Sequence, residues 1–361
     1  MFWGIDLSSE SFAAVVLDEK GDEMKRFTCS LEPQYIGKFL SRLKKDDYVA
    51  AEASTNTFWF AEQVAPFVKE CFVINTWKFK TITGANQKTD YLDAEKLANR
   101  LKYHVLFDKS EKEFPLVYKP VKQVQIFRTF FTTYNIFKKQ KNVAENRVRS
   151  LFKQNGMFGL KKLKLYQKAA QEKILAKEMM EEIRFQVMML FDTINYYVEK
   201  MDELKEKILV ESRIFQKEIE ILTSIKGISP FVAAAIMADV VDVNRFPNVK
   251  KFCTYLRAAP KIKESGDSTK IGKINKQSRS LTMGLMVECV NHFRNSSDRV
   301  DKFYIKKCNG KSKGKVRIAV VRKILVAIYN MLKYNKLYYY VDKKNHANKL
   351  IEYARVLKKV A

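Results

Sequence analysis

The order of short apolar runs in the first hundred residues limits the fold of this chain more than any other feature of its sequence. Five runs have the length and composition of β-strands: residues 1–7, 11–17, 24–31, 48–53 and 71–75. Three stretches have helical periodicity: residues 33–44, 57–70 and 90–103. Thr89 stands where a helix N-cap is expected. The resulting order, β-β-β-α-β-α-β-α, predicts an RNase H-like mixed sheet with helices on its faces.

The middle of the chain predicts long helices. Residues 121–153 and 171–215 both place apolar side chains at alternating spacings of three and four, which is the heptad pattern of packed helices. Lys141 occupies one slot of the first pattern. The seam of the second stretch comprises Met180, Ile183, Val187, Leu190, Ile194, Tyr197, Met201, Leu204 and Ile208. An intramolecular helical hairpin and an intermolecular coiled coil both fit this pattern.

From about residue 219 the pattern changes to compact helices. Apolar helices are expected at 281–293 and 316–333, with a polar loop at 260–280 between them and the preceding helices. The predicted fold class is therefore α/β plus α: a mixed sheet, a long helical hairpin or coiled coil, and a C-terminal all-α part.

The chain of 361 residues has a formal net charge of +27, which predicts a polyanionic partner such as nucleic acid. The charge is −1 over residues 1–110, +7 over 111–220 and +21 over 221–361. The first part therefore fits a domain whose carboxylates hold cations. The last part fits a domain that grips a phosphate backbone.

Several other classes of protein are disfavoured by the sequence. The five cysteines are odd in number, widely spaced and without a CxxC pair, so neither a disulfide framework nor a zinc site is expected. The three histidines show no ligand spacing. No apolar run reaches the ~20 residues that a membrane span needs, and no signal peptide opens the chain. These features predict a cytoplasmic protein without a membrane partner.

Four carboxylates stand where a metal-dependent phosphoryl-transfer site would place them. Asp6 interrupts an apolar strand and Glu52 lies between alanines, positions where an acid is costly unless it faces a cleft or a cation. Asp90 and Asp93 are three residues apart at a helix start and so share one face. Converging carboxylates are the ligands of paired magnesium ions.

Two of these acids also have a simpler reading. Asp90 can be an acid favoured by the helix dipole, and Asp6 can be a strand-end turn residue. A strand-Asp opening of this kind also occurs in sugar-kinase and Hsp70-type ATPases. Those need Gly-rich phosphate loops, which this sequence lacks. The four acids together, in their elements and order, favour a metal site.

Several segments resemble the insertion-sequence transposases with a DEDD active site, the bridge-RNA-guided group that includes a pilin-gene invertase. The N-terminal matches are GIDLSSE (4–10), AEASTNTFW (51–59), VINTWKFK (73–80) and NQKTDYLDAEKLA (86–98). The C-terminal matches are LTSIKGISPFVAAAIMADV (222–240), RFPNVKKFCTYLRAAP (245–260), ESGDS (264–268) and GKVRIAVVRKILVAIYNML (314–332). The KTDxxDA form is the most specific, and the resemblance covers nearly the whole chain.

The resemblance implies three domains. Residues 1–115 would form a RuvC-like catalytic domain, residues 116–218 a helical coiled-coil linker, and residues 219–361 a C-terminal transposase domain. Asp6, Glu52, Asp90 and Asp93 would hold Mg²⁺, with Mn²⁺ as the alternative.

The resemblance also implies a nucleophile. A serine in the basic segment KIKESGDSTKIGK would form a covalent link to DNA, and by position it is Ser265, with Ser268 as the runner-up. From the residues alone, this Ser-Gly pair is an ordinary turn. A serine hydroxyl needs activation, and no histidine is near in sequence. The metal–carboxylate cluster of the same or another chain would have to supply that activation.

The partners implied by the resemblance are double-stranded donor and target DNA, a non-coding bridge RNA, and further copies of the chain as a dimer to tetramer. It also implies a bacterial, nucleoid-associated protein. The residues expected to contact nucleic acid are Lys226, Lys270, Lys273, Lys276, Lys311, Lys313, Lys315, Arg317 and Arg322. Lys226 lies in SIKGISPFVAAAI, which resembles a helix-hairpin-helix element. An ordinary helix-turn-helix in the core is the alternative.

The expected function is that of a transposase-recombinase. One rival is a structure-selective Mg²⁺-dependent endonuclease, which would use the four carboxylates and water but no serine. The other is a non-catalytic nucleic-acid-binding relic, which would bind DNA or RNA without cutting it.

Overall fold

The computed structural model describes residues 1–75, 89–107, 114–160, 163–265, 268–274, 281–310 and 312–359. The chain divides into two compact units, Met1–Pro120 and Val121–Ala361. Residues 76–80 of the VINTWKFK match, residues 86–88 of the NQKTDYLDAEKLA match, and the predicted contact residues Lys276 and Lys311 lie outside the described residues. Each unit has its own core.

The first unit is built on a five-stranded mixed sheet. Its elements are β1 (Phe2–Leu7), β2 (Ser11–Leu17), β3 (Glu23–Ser30), α1 (Pro33–Leu40), β4 (Tyr48–Glu52), α2 (Thr57–Val64), β5 (Glu70–Ile74) and α3 (Asp90–Leu106). The strand order is β3-β2-β1-β4-β5, with β1–β3 antiparallel and β1, β4 and β5 parallel. This is the RNase H-like arrangement that the order of apolar runs predicted.

Helix α2 is shorter than its sequence pattern. The pattern extended to residue 70, but the helix ends at Val64 and a single 3₁₀ turn, Ala65–Phe67, follows. Pro66 within that turn has no backbone N–H to continue an α-helix. The chain then enters β5 at Glu70.

Side chains alternate between the two faces of the sheet because the strand period is two. Trp3, Ile5, Val49 and Ala51 are buried in one cluster with residues of α1 and α2. Phe2, Ala50, Phe72 and Ile74 are buried in another cluster with Ala94, Leu97, Ala98 and Leu101 of α3. Helix α3 therefore covers the face to which the even-numbered residues of β1 and β4 belong.

The second unit is mainly helical. Its helices are α4 (Lys122–Gln154), α5 (Lys168–Leu175), α6 (Glu181–Glu211), α7 (Gln216–Thr223), α8 (Pro230–Val240), α9 (Val249–Tyr255), α10 (Leu281–Glu288), α11 (Val290–Arg294), α12 (Asp298–Cys308), α13 (Lys313–Tyr334) and α14 (Lys343–Lys358). It also contains a two-stranded antiparallel sheet of β6 (Pro260–Ser265) and β7 (Ser268–Ile274).

Helices α4 and α6 pack against each other within this unit, as the heptad pattern predicted for an intramolecular pair. Val148 of α4 is buried in one cluster with Val187 and Ile194 of α6. The rings of Phe137 and Tyr197 lie 5.6 Å apart further along the pair. Lys141, the cation in the seam, is held 3.0 Å from the buried carboxylate of Glu145 on the same helix. Its charge is thus compensated locally.

Two sequence predictions about this unit were wrong. The helix expected over 171–215 is two helices, because α5 ends at Leu175 and turns so that Ile174 packs against the α4–α6 pair. The polar loop expected at 260–280 is a β-hairpin over its described residues. The strands were hidden because lysines occupy most of the positions around the cross-strand pair Ile262 and Ile271.

Gly4 sets how closely α3 approaches the sheet. A Cβ at this position would lie 1.9 Å from the carbonyl oxygen of Ala94 and 2.5 Å from the backbone nitrogen of Ala98. The helix backbone therefore rests directly on the strand, and only glycine leaves room for it. Gly4 lies two residues before Asp6 on the same face of β1.

We expect Gly4→Ala to destabilise the protein by about 1–3 kcal/mol, because the helix must move off the sheet. Urea unfolding of the full-length chain measures this change. Gly37→Ala is the matched control, because Gly37 is exposed and a Cβ there meets nothing within 4 Å. Replacing that helical glycine should instead gain about 0.5–1 kcal/mol. Equal stability of Gly4→Ala and Gly37→Ala would contradict the proposed close contact.

Candidate active site

Asp6 and Glu52 lie side by side at the ends of two adjacent parallel strands. Ile5 of β1 is paired with Ala51 of β4, and Asp6 and Glu52 are the next residues of those strands. Neighbouring strands lie ~4.8 Å apart. Both acids are even-numbered and so belong to the face covered by α3. Both are half-buried.

The first turn of α3 lies over the row of the sheet that contains Asp6. Asp6 is in register with Ala13, and Ala13 with Thr28. The hydroxyl oxygen of Tyr91, in the first turn of α3, lies 2.8 Å from the Thr28 hydroxyl. At the other end of the helix, Lys102 donates to the carbonyl of Lys20 in the β2–β3 turn. The helix therefore begins at the end of the sheet where Asp6 lies.

This start of α3 carries the other two predicted acids. Thr89 is the N-cap, and its hydroxyl accepts a hydrogen bond from the Leu92 N–H at 3.3 Å, as the sequence predicted. Asp90 is exposed at the first position of the helix, and half-buried Asp93 lies one turn later. The backbone thus brings the ends of β1 and β4 and the start of α3 to one edge of the sheet.

Short polar contacts fix the chain just after Glu52. The Thr57 hydroxyl donates to the Glu52 carbonyl at 2.6 Å and accepts from the Ser54 N–H at 2.7 Å. The Asn56 side-chain amide donates to the Ser8 carbonyl at 2.8 Å, which ties this loop to the β1–β2 hairpin. These bonds explain the run of small polar residues in the AEASTNTFW segment. Sequence reasoning did not assign them a role.

The donor chemistry of this edge suits a divalent cation, because carboxylate oxygens are the ligands that Mg²⁺ prefers. Asp93 forms an ion pair with Lys96, whose ammonium nitrogen lies 3.3 Å from the Asp93 Oδ1 atom. Within the described residues, no three Asp, Glu, His or Cys side chains are arranged as a ready metal cage. The suitability of this edge for a divalent cation therefore rests on the types of residue present and on where the backbone places them.

Ser265 is the last residue of β6. It is paired with Ser268, the first residue of β7, so the two candidate serines are opposite each other in the backbone register at the end of the hairpin. The structure brings these two serines together, in the second unit. Lys270 and Lys273, two of the predicted contact residues, lie in β7.

The other predicted contact residues occupy different environments. Lys313, Lys315 and Arg317 are exposed along the start of α13. Arg322 is half-buried, and its Nη1 atom donates to the Ala258 carbonyl at 3.2 Å just before the hairpin. Lys226 donates to the Asn295 carbonyl at 3.4 Å.

The SIKGIS segment forms a tight turn between α7 and α8. Gly227 has φ +94°, and a Cβ there would lie 2.4 Å from the Cβ atom of His292. Ser229 caps α8, with its hydroxyl accepting from the Val232 N–H at 3.3 Å. The helix that follows is buried along its whole length. Both readings of the sequence, a helix-hairpin-helix and an ordinary core helix pair, are compatible with this geometry.

Residues 219–304 match the model of the transposase IS116/IS110/IS902 family. No curated protein matches the chain. With the RNase H-like sheet of the first unit, this match defines the class of protein: a transposase, an enzyme that transfers phosphoryl groups on DNA and therefore binds DNA. More narrowly, residues 219–304 carry the transposase domain of the IS116/IS110/IS902 family, and the resemblance to insertion-sequence transposases stated from the sequence is confirmed.

Among the described helices, none combines the length and apolar character that crossing a membrane requires.

All five cysteines are free, and burial raises the pKa of Cys71 to about 12 and that of Cys289 to about 11. Thiols with such values remain protonated at neutral pH and behave as core residues.

We expect Thr57→Val to impair catalysis more than stability. Valine has the shape of threonine but loses the hydrogen bonds of the Thr57 hydroxyl to Glu52 and Ser54, at a cost of about 1–3 kcal/mol. Plasmid recombination and thermal unfolding should be measured together. Thr193→Val is the matched control, because that exposed hydroxyl bonds only within its own helix. A Thr57→Val protein with unchanged recombination would show that this loop does not position Glu52.

Proposed function

We propose that this transposase cuts and rejoins DNA with a metal–carboxylate site formed by Asp6, Glu52, Asp90 and Asp93 and with Ser265 as a covalent nucleophile. The observation that carries the proposal is the meeting of the ends of β1 and β4 with the start of α3 at one edge of an RNase H-like sheet. The match of residues 219–304 to a transposase family indicates that the substrate is DNA.

The carboxylates would hold Mg²⁺, or Mn²⁺ in its place, at this edge. Such a cation, when bound, stabilises negative charge on the oxygens of a reacting phosphate. The protein's own contribution is positional. The Gly4 contact fixes the height of α3 above the sheet, and Thr57 and Asn56 fix the loop after Glu52.

The serine step proceeds by exchange of one phosphate ester for another. The Ser265 oxygen forms a bond to phosphorus, the bond to one DNA ester oxygen breaks, and that oxygen leaves as a hydroxyl after taking up a proton. The serine proton passes to a base. Rejoining is the reverse step with the hydroxyl of a different strand, which releases the serine. No phosphate bond is lost, so the DNA is exchanged and not degraded.

A bridge RNA and a dimer or tetramer complete the proposal. Both rest on the family resemblance, and the +28 carried jointly by residues 111–220 and 221–361 suits a second polyanion beside DNA. The contact residues proposed for the two nucleic acids include exposed Lys313, Lys315 and Arg317.

We expect Glu52→Gln to lower recombination by about 100-fold or more, because it removes a ligand charge without changing shape. The assay uses plasmids that carry the DNA flanking the gene, so that any RNA encoded there is present. Glu70→Gln is the matched control, since Glu70 pairs with Tyr48 at the opposite end of the same strands. Full recombination by Glu52→Gln or by Asp90→Asn would refute the metal site.

We expect a protein–DNA adduct that survives denaturation in the native protein and is absent in Ser265→Ala. Gel electrophoresis of labelled DNA after denaturation detects it. Ser268→Ala is the matched control and should retain the adduct. An adduct lost only in Ser268→Ala would move the nucleophile to Ser268. DNA cleavage that persists in Ser265→Ala without any adduct would instead identify a hydrolytic nuclease.

A further inference from the structure

A cleft of about 430 Å³ in the second unit has no role in the chemistry described so far. It opens beside α4, the end of α9 and the start of α10. Its lining combines three cationic side chains with two neutral polar ones and three apolar ones: Arg128, Lys139, Arg257, Thr132, Asn135, Phe131, Ile136 and Leu281. Among the described residues, no acidic side chain lines the cleft.

A buried carboxylate joins two of the helices next to this cleft. Asp239 of α8 is fully buried, and its Oδ2 atom accepts hydrogen bonds from the Thr282 N–H at 3.1 Å and the Thr282 hydroxyl at 2.9 Å. These two bonds join α8 to the start of α10. An acid in so apolar a helix is costly unless it is compensated in this way.

The same carboxyl end of α8 holds Arg128 of α4. The Arg128 Nε atom donates to the Ala238 carbonyl at 2.7 Å, and its Nη2 atom lies 3.5 Å from the Asp239 carbonyl. The guanidinium is thus held in place by the end of a helix, where carbonyl oxygens carry partial negative charge. The side chain remains half-buried and lines the cleft.

Arg257 reaches the cleft from an unusual backbone conformation. Its φ is +60°, in the left-handed region that non-glycine residues seldom adopt. Burial lowers the pKa of its guanidinium from the usual value, and the negative charge of Asp239 acts in the opposite direction. Backbone conformations of this kind cluster at functional sites, where the surrounding structure enforces them. Three residues later the chain enters β6, which ends at Ser265.

The combination of groups indicates the chemistry of the ligand. Two arginines and a lysine around one cleft suit an anion with several oxygens, and arginine binds phosphate with paired N–H donors. Ile136 and Leu281 offer an apolar wall on which a sugar can lie. Arg257 and Leu281 belong to the segment that matches the transposase family, and this segment lies in the most basic part of the chain.

We propose that this cleft binds one backbone phosphate of the DNA strand that Ser265 attacks, with Arg257, Arg128 and Lys139 as the phosphate contacts. The proposal rests on the proposed function for the identity of the strand. Asp239 does not take part in these contacts; it holds the start of α10 through Thr282.

Equilibrium binding tests the contacts without relying on the chemistry. All variants are made in the Ser265→Ala background, and the affinity for a fluorescent DNA duplex is measured by anisotropy at several salt concentrations. We expect Lys139→Gln to weaken binding about 5- to 10-fold and to lower the slope of log K against log salt by about one, as for one lost phosphate contact. Arg257→Gln should weaken binding at least as much.

A local readout distinguishes this site from general electrostatic attraction. Thr132 lines the cleft and is exposed, so a thiol introduced by Thr132→Cys should be protected by DNA from alkylation. Thr193→Cys, exposed on α6, is the matched control and should react equally with and without DNA. Mass spectrometry of the labelled peptides gives both rates.

Unchanged affinity and salt slope in both Lys139→Gln and Arg257→Gln would overturn the proposal, and so would equal alkylation of the Thr132→Cys thiol with and without DNA. Lys139 is exposed, so its replacement does not endanger the fold if Arg257→Gln proves unstable. Failure of the serine chemistry would appear separately, as a missing adduct in the native protein with DNA binding intact.

Discussion

The contact between the backbone of α3 and Gly4 is the constraint on which the geometry of the first unit depends. Helix and strand approach so closely that a single methyl group would collide with the helix backbone. The helix therefore cannot be placed by bulky side chains alone and takes its height from the strand. Because Asp93 immediately precedes Ala94, the same contact decides where two of the four acids stand with respect to Asp6.

Much of the first unit could be predicted from the sequence because its signals are local. Alternating apolar runs gave the strands, and Thr89 gave the start of α3. The parallel pairing of β1 with β4 is what brings Asp6 beside Glu52, and this pairing depends on residues 46 positions apart. No local sequence pattern predicts the register of β1 against β4. The proximity of Asp6 and Glu52 is therefore seen only in the fold.

The second unit was harder to predict because its decisive contacts are long-range. Helix α5 ends at Leu175 without a proline or glycine, because Ile174 is buried against two other helices and Arg184 donates to the Leu175 carbonyl at 2.5 Å. Asp239 is a second case. An acid in the apolar run SPFVAAAIMADV is the same signal that indicated a role for Asp6, yet no role was predicted for Asp239. Its partner Thr282 lies 43 residues away.

The hairpin that carries Ser265 consists of two strands that pair only with each other in the part of the chain described. Two strands alone are barely stable in water and need a surface to pack on. Its root is secured by Arg322 at the Ala258 carbonyl, while the serine lies at the far end. In the proposed function, bound DNA would offer this hairpin a surface to pack on. The reactivity of Ser265 would then depend on DNA being in place, which would limit strand breakage elsewhere.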